Sequence, residues 1–310
     1  MLMLRLVFAC FLAGSPGSVR AGAKPLDRPE TSPLFAFCID THDARHRTLK
    51  EQAELLSELG YDGVGHLGLH RVRERLVTLD QAGLRLFWIH TTVCLQPDKP
   101  PFDQCLKEVL PLLDGRDVLL SVNIVGRPSS DRSVEGRALA IIRQISAMAE
   151  PYGVRVVLYH HVNQWVERIG DAVRIAKKVA RPNVGVMFNL CHFLRVERDE
   201  SLRRALRDAM PYLLCVSING ADRAEEIQAG RGRMIRPLGE GTFDVCSLLR
   251  TLREFGYGGP IGLQCWGLRG DARGHLTQSI CAWRSMQQRL HVQGHPVPRR
   301  SPTRIGIHSN

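Results

Sequence analysis

The sequence has 310 residues, of which 44% are hydrophobic and 24% are charged. This is the composition of an ordinary soluble globular protein, which excludes a chain that is disordered throughout, and the length is sufficient for one large domain. The formal net charge of +11 permits a nucleic-acid partner. Acidic residues interrupt the basic ones in segments such as Val166–Lys178 and Ser201–Met210, so we expect solvated helix faces and no nucleic-acid partner.

The first 23 residues are typical of a secretory signal peptide. Met1–Arg5 is basic, Leu6–Ala13 is a short apolar run, and Ala21–Ala23 is a small-x-small site. The apolar run is too short to span a bilayer, which takes about 20 residues. We therefore predict export to the periplasm or the extracellular space, without stable membrane insertion. A misassigned start or a buried strand is the alternative.

Three further segments follow the predicted signal peptide. Residues 24–32 are polar and rich in proline, and are predicted to be a linker. Residues 33–291 carry the periodic pattern of one domain. Residues 292–310 contain Pro and Arg without periodicity, which predicts a flexible basic tail.

Apolar strands and amphipathic helices alternate through the domain. The predicted strands are Leu34–Ile39, Tyr61–Leu67, Leu84–Ile89, Val118–Ile124, Arg155–Tyr159, Val184–Phe188, Tyr212–Ile218 and Ile261–Trp266. The predicted helices are Arg47–Leu59, His70–Ala82, Asp103–Leu113, Val134–Glu150, Trp165–Val179, Ser201–Met210, Asp244–Phe255 and Leu276–Leu290. Eight such repeats with short connections predict an α/β fold, a single-domain (β/α)8 TIM barrel. A doubly wound open sheet is the alternative, but no glycine-rich dinucleotide motif follows the first strand.

Cysteines are frequent in and just after the predicted strands. Eight of the nine cysteines remain once residues 1–23 are removed, and no C-x-x-C pair occurs. An even number in an exported protein permits disulfides. Five positions nevertheless favour buried free thiols, namely Cys38, Cys94, Cys191, Cys215 and Cys265.

Hydrogen-bonding side chains collect where the predicted strands end. They are His66, His90, Asn123, Tyr159, His161, Asn189, His192, Ser217, Asn219 and Gln264. Side chains two apart in a strand share a face, so Tyr159 and His161 point the same way and His160 points the other way. Chemistry in such barrels collects at the carboxyl ends of the strands. We therefore predict a site for a polyhydroxylated small molecule there, with Trp266 at its edge to stack on a sugar ring.

Four segments resemble a known family. They are N-V-G-V-M-F-N-L-C-H at Asn183–His192, S-I-N-G-A-D-R at Ser217–Arg223, P-L-G-E-G-T-F-D at Pro237–Asp244 and F-G-Y-G-G-P-I-G-L-Q at Phe255–Gln264. In this order they resemble the sugar phosphate isomerase/epimerase family of xylose isomerase-like TIM barrels, which includes the AP endonuclease family 2 enzymes.

The resemblance implies a divalent metal held by Glu, Asp, His and Glu at the ends of strands five to eight. The matching positions here are Tyr159, Asn189, Ser217 and Gln264. Their neutral groups do not compensate a divalent charge, so we expect no tightly bound metal and no other cofactor. The family's substrate contacts are matched by His192 and Arg223, and Glu240 lies in the glycine-rich turn.

These positions lead to a functional hypothesis. We expect an exported protein similar to sugar isomerases and epimerases that abstracts a proton next to a carbonyl without the divalent metal, with His161 and His192 as acid and base. Arg223 would anchor an anionic oxygen. The other predicted substrate-binding residues are His66, His90, Asn123, Tyr159, Asn189, Ser217, Asn219, Glu240, Gln264 and Trp266.

Other hypotheses stay open at this point. The barrel could bind a sugar without catalysis, or be a lyase acting on a keto-sugar. His66, His90, His161 and His192 could together hold zinc. A nuclease of the endonuclease IV kind is disfavoured, since that chemistry needs clustered metals. The sequence fixes neither the sugar nor the oligomeric state.

Overall fold

The structure of the protein is a computed structural model that describes residues 32–129 and 131–294. The predicted signal peptide, linker residues 24–31 and tail residues 295–310 lie outside the described residues. Within the described residues, no helix combines the length and the apolarity that crossing a membrane requires.

Eight parallel strands close into a barrel in which each strand pairs with its neighbours in chain order, and β1 pairs with β8. The strands are β1 Leu34–Ala36, β2 Gly63–Leu67, β3 Arg85–Cys94, β4 Leu119–Val125, β5 Arg155–Tyr159, β6 Val184–Asn189, β7 Leu213–Ile218 and β8 Ile261–Leu263. The helices are α1 Leu49–Leu59, α2 Val72–Gln81, α3 Leu106–Val109, α4 Glu135–Ala149, α5 Ile169–Val179, α6 Leu190–Val196, α7 Leu202–Ala209, α8 Ala224–Gln228, α9 Val245–Glu254 and α10 Ala272–Gly294. The predicted single-domain (β/α)8 TIM barrel is confirmed.

The strand residues alternate between two hydrophobic layers. In β5, Val157 and Tyr159 join the cluster inside the barrel, while Val156 and Leu158 pack in the layer between strands and helices. The inner cluster comprises Phe35, Phe37, Cys38, Phe87, Trp88, Leu119, Val157, Tyr159, Met187 and Cys215. Because both faces of every strand are covered, the strands read as continuous apolar runs.

One irregularity decides which side chains of β3 face the barrel mouth. The register between β2 and β3 skips Phe87, since Val64 pairs with Leu86 and Gly65 pairs with Trp88. An extra residue of this kind reverses the alternation. Trp88 therefore joins the inner cluster, and His90, two residues on, lines the cavity at the barrel mouth.

Glycines leave the interior open to large rings. A Cβ atom on Gly262 of β8 would lie 2.7 Å from the ring of Phe35 and 2.8 Å from the ring of Phe37. On β2, a Cβ atom at Gly65 would lie 2.4 Å from the carbonyl oxygen of Phe37 and 2.8 Å from the ring of Trp88. The aromatic interior therefore requires glycine at both positions.

Several predicted boundaries differ from the structure. The first strand ends at Ala36 rather than Ile39, because its pairing with both neighbours ends there. The fifth helix begins at Ile169 rather than Trp165, since the Trp165 indole donates to the carbonyl of Asp131 and the backbone of Arg168 is extended. Helices α6 and α8 were not predicted from the sequence.

The eight cysteines of the described residues are all free thiols. Cys38, Cys191, Cys215 and Cys265 are buried, as the sequence predicted, while Cys94 is only half-buried.

Candidate functional site

A cavity of about 430 Å³ opens at the carboxyl ends of the strands. Seven of the predicted site residues line it, namely His90, Asn123, Tyr159, His161, His192, Gln264 and Trp266. The other lining residues are Phe37, Cys38, Leu67, Trp88, Val162, Cys191, Met234 and Ile235. Among the described residues, no Asp, Glu, Lys or Arg side chain lines the cavity, and the polar groups of the lining are imidazoles, amides, thiols, indoles and one phenol.

A chain of hydrogen bonds joins the ends of β5 and β6. The Asn189 Nδ2 group donates to the Tyr159 hydroxyl at 2.5 Å, and that hydroxyl lies 3.3 Å from His192 Nε2. A neutral His192 then accepts from Tyr159 through Nε2 and carries its proton on Nδ1. Nδ1 is buried and has no hydrogen-bond partner among the described residues.

The rings of His161 and His192 lie together, with their centroids 3.9 Å apart. His161 Nδ1 lies 2.6 Å from the carbonyl oxygen of Val162. A carbonyl oxygen only accepts, so Nδ1 carries the proton and Nε2 of the neutral ring is free to accept another. His161 is half-buried, whereas His192 is buried.

Desolvation sets the charge of this cluster. Burial lowers the pKa of His161, and burial together with the nearby His161, His160 and His90 rings holds the pKa of His192 well below its ordinary value. Burial also raises the pKa of the Tyr159 hydroxyl well above its usual value. The cluster is therefore neutral at pH 7, with imidazoles able to accept a proton.

His90 and Asn123 complete this side of the cavity. The His90 ring stacks on Trp88 with centroids 5.0 Å apart, and its Nδ1 lies 3.3 Å from the Ser121 hydroxyl. Burial is the main cause that lowers the pKa of His90 to about 4. The Asn123 Oδ1 atom is buried without a partner among the described residues. An unsatisfied buried acceptor beside a cavity is a position where a ligand hydroxyl would bind.

The opposite side is formed by residues that follow β1 and β8. Gln264 Oε1 accepts hydrogen bonds from the Cys38 thiol at 2.7 Å and from the Trp266 backbone N–H at 2.9 Å. These two bonds fix the orientation of the amide. The Trp266 side chain is 58% exposed at the cavity edge, where its ring is free to stack on a sugar.

The positions that match the family's metal ligands do not fit a divalent metal. Asn189 Oδ1 accepts from the Cys191 thiol at 3.0 Å, and Gln264 Oε1 is already occupied by its two donors. Ser217 is fully buried, and its hydroxyl has no partner among the described residues. A site for Mn²⁺ or Mg²⁺ requires anionic oxygens, and none of these four residues supplies one.

The four-imidazole zinc hypothesis is wrong for the described residues, where no group of three or more His, Cys, Asp or Glu side chains is placed to hold a metal ion. His66 Nε2 lies 2.7 Å from the carbonyl oxygen of His70, and its Nδ1 accepts from Arg75 at 3.3 Å. His66 thus faces a polar network between the strands and α2 rather than the cavity.

Three more predicted residues lie outside the cavity. Asn219 donates to the carbonyl oxygens of Gly220 and Met234, and so holds the loop after β7. The exposed Arg223 guanidinium pairs with Asp199 at 3.1 Å and lines a separate groove. Glu240 accepts from Gln278. The predicted anchoring role of Arg223 therefore has no counterpart in the geometry of the cavity.

Several lining residues were not predicted from the sequence. Met234 and Ile235 come from the long connection between β7 and α9, which an ion pair between Asp222 and Arg236 at 2.6 Å closes. The length of this connection was the available signal, because loops beyond about 15 residues are often functional. Cys38 and Cys191 had been assigned only a packing role.

A buried imidazole behind the site gives an expected pH dependence of stability. His160 Nε2 accepts from the Asn189 backbone N–H at 2.9 Å, and burial lowers the pKa of His160 to about 4. Between pH 4 and 6.5 the unfolded chain binds a proton here that the folded chain does not, so acid favours unfolding. The loss is about 1.4 kcal/mol per pH unit.

The test compares urea unfolding at pH 7, 6 and 5 for the natural protein and for His160→Gln, which keeps an acceptor. The variant is expected to lose stability less steeply as the pH falls. Equal slopes would contradict the assignment.

The sequence model of the family described as "Xylose isomerase-like TIM barrel" matches residues 111–285. No curated protein matches the chain. Among solved structures, the probable 3-DHS dehydratase AsbF from Bacillus anthracis has a TM-score of 0.65 and 14% identity, covering 81% of this chain and 98% of that one.

Two sugar epimerases are also similar. The 3-keto-D-glucoside 4-epimerase YcjR from E. coli has a TM-score of 0.65 and 15% identity over 82% of this chain and 100% of that one. The D-psicose 3-epimerase from Clostridium cellulolyticum H10 has a TM-score of 0.62 and 16% identity over 83% and 99%. At these identities the likeness establishes the fold.

Proposed function

The chain belongs to the xylose isomerase-like TIM barrel family, and from this premise we propose that it is a sugar isomerase or epimerase that abstracts a proton next to a carbonyl without a divalent metal. One observation carries the proposal. Three imidazoles and a phenol line the cavity at the barrel mouth, and no carboxylate of residues 32–129 or 131–294 lies among them. Proton abstraction needs a base that is unprotonated near pH 7, and the neutral histidines supply it.

Each polar residue of the cavity has a separate role in the proposed reaction. His161 Nε2, whose tautomer the Val162 carbonyl fixes, takes the proton from carbon. The Tyr159 and His192 pair, 3.3 Å apart, stabilises the oxygen on which negative charge develops. Asn123 and Gln264 bind hydroxyl groups, and Trp266 stacks on the ring.

The substrate class follows from the charge of the lining. A phosphate ester carries negative charge that arginine or lysine usually binds, and neither lines the cavity within the part of the chain that the structure describes. We therefore propose a neutral sugar rather than a sugar phosphate. Delivery to the periplasm or the exterior by residues 1–23 belongs to the same proposal.

Calorimetric titration of neutral sugars, before and after treatment with EDTA, tests the proposal. We expect saturable binding that EDTA does not change, weaker binding of the matching sugar phosphates, and metal content well below stoichiometric by mass spectrometry. His192→Ala is expected to weaken binding about tenfold, the size of one lost hydrogen bond to a polar ligand.

His70→Ala is the matched control, since His70 is an exposed imidazole outside the cavity. Binding that EDTA abolishes and Mn²⁺ restores would refute the metal-free mechanism. Sugar binding without any exchange of carbon-bound hydrogen would favour the alternative, a barrel that binds a sugar without catalysis.

A further inference from the structure

The groups able to move protons occupy one half of the cavity wall. His90 comes from β3, Tyr159 and His161 come from the end of β5, and His192 follows β6. The centroid distances are 3.9 Å between His161 and His192, and 5.1 Å between His90 and Tyr159. These rings form one contiguous cluster on the side of the barrel that runs from β3 to β6.

In the described residues, the other half of the cavity wall carries no comparable group. Gln264 and Trp266 carry an amide and an indole, which do not act as bases near neutral pH. The Cys38 thiol donates to Gln264 Oε1 at 2.7 Å, and burial raises the pKa of Cys38 to about 11. His66, at the end of β2, faces the His70 carbonyl and Arg75 instead of the cavity.

This asymmetry restricts the stereochemistry of a reaction through an enediol. When a base removes the proton from the carbon next to a carbonyl, that carbon becomes planar in the intermediate, and a proton can be added to either of its two faces. Inversion at that carbon requires a second proton donor on the opposite face. Return of the proton to the neighbouring carbon on the same face requires only the first base.

Resting on the proposed function, we infer that the protein is an aldose–ketose isomerase with a single catalytic face, rather than an epimerase. His161 Nε2 takes the C–H proton while the C–H electron pair forms the C=C bond of the enediol. The carbonyl π pair moves onto oxygen, which receives a proton from the Tyr159–His192 pair.

In the second half of the reaction, the hydroxyl on the adjacent carbon returns a proton to the same pair as its C=O bond forms. The His161 imidazolium then gives its proton to the former carbonyl carbon from the same side. Protons and electron pairs balance, so no oxidant or reductant takes part.

The experiment incubates the protein with D-fructose, D-tagatose or D-xylulose in heavy water and follows carbon-bound hydrogens by NMR. We expect loss of the signal of one of the two C-1 hydrogens, appearance of the corresponding aldose, and full retention of hydrogen at C-3. Heat-inactivated protein provides the background rate.

The outcomes separate this inference from the function on which it rests. Formation of a C-3 epimer with deuterium at C-3 would overturn the single-face inference and leave proton abstraction standing. Equal exchange of both C-1 hydrogens would also overturn it. Absence of any exchange, with a sugar that calorimetry shows to bind, would overturn the proposed function and the inference together.

Discussion

Replacing His161 by glutamine is expected to lower the turnover of a bound sugar by a factor of about 10² to 10⁴, the usual contribution of general acid–base catalysis. The amide of glutamine keeps much of the size and polarity of the imidazole and has no nitrogen that accepts a proton near neutral pH. His161 is half-buried and lines the cavity, so the fold and the sugar affinity should change little.

The measurement pairs turnover from heavy-water exchange with binding from calorimetry. His70→Gln is the matched control, because it removes an exposed imidazole by the same substitution outside the cavity. The natural protein should keep its rate below pH 6.5, since burial lowers the pKa of His161 and the imidazole must be unprotonated to act as the base. Undiminished turnover in His161→Gln would assign the base to another group.

The architecture follows from the sequence because it depends on short-range patterns. The sequence contains continuous apolar strands such as Val184–Phe188, and each is followed by an amphipathic helix. This pattern predicts a parallel sheet with both faces covered. The ends of the helices and strands are harder to predict from the sequence, since they depend on residues that are distant in the chain. Trp165 lies outside α5 because the backbone of Arg168 is extended, and the Trp165 backbone N–H donates to the carbonyl oxygen of Ile124 in β4.

The cavity could be predicted only in part. Alternation within a strand places Tyr159 and His161 on one side, and the structure brings them to the same cavity. The bulge at Phe87, which turns His90 inward, depends on the pairing of β2 with β3 and leaves no signal in the sequence. The roles predicted for the individual site residues stay predictions until variants are measured.

Arg223 illustrates the limit of a motif. It stands at the position that resembles a substrate contact of the family, yet its guanidinium pairs with Asp199 on the surface. The direction of a side chain in a loop depends on the rest of that loop, which a short motif does not record. The charge-free lining of the cavity therefore emerged only from the structure.

Two thiols of the inner wall are hydrogen-bonded to amides. Amides occupy two of the positions that match metal ligands, and each amide oxygen accepts a thiol hydrogen, from Cys191 at Asn189 and from Cys38 at Gln264. Without the Cys191 thiol, the buried Asn189 Oδ1 would lack a partner, which costs about 1–3 kcal/mol, whereas Gln264 Oε1 would keep its hydrogen bond from the Trp266 N–H. The two cysteines thus stabilise the neutral form of the site.

Replacing Trp88 by alanine is expected to destabilise the folded protein by about 3–5 kcal/mol, as is usual when a large aromatic side chain is removed from a core. Trp88 is 1% exposed. The centroid of its ring lies 4.1 Å from the ring centroid of Phe37 and 5.0 Å from that of His90. The interior of a closed barrel has little freedom to collapse, so most of the volume of the indole would remain as a void.

Guanidinium unfolding measures this effect, with Trp266→Ala as the matched control. The same substitution at the 58% exposed Trp266 is expected to change the free energy of unfolding by no more than about 0.5 kcal/mol. The loss of unfolding free energy in Trp88→Phe should lie between those of Trp88→Ala and Trp266→Ala, since phenylalanine keeps a ring against Phe37. His90 loses its stacking partner in Trp88→Ala, so sugar binding should weaken in that variant beyond what unfolding explains. A loss of stability below about 1 kcal/mol would show that the barrel interior rearranges around the void, and that this aromatic layer does not hold the catalytic face in place.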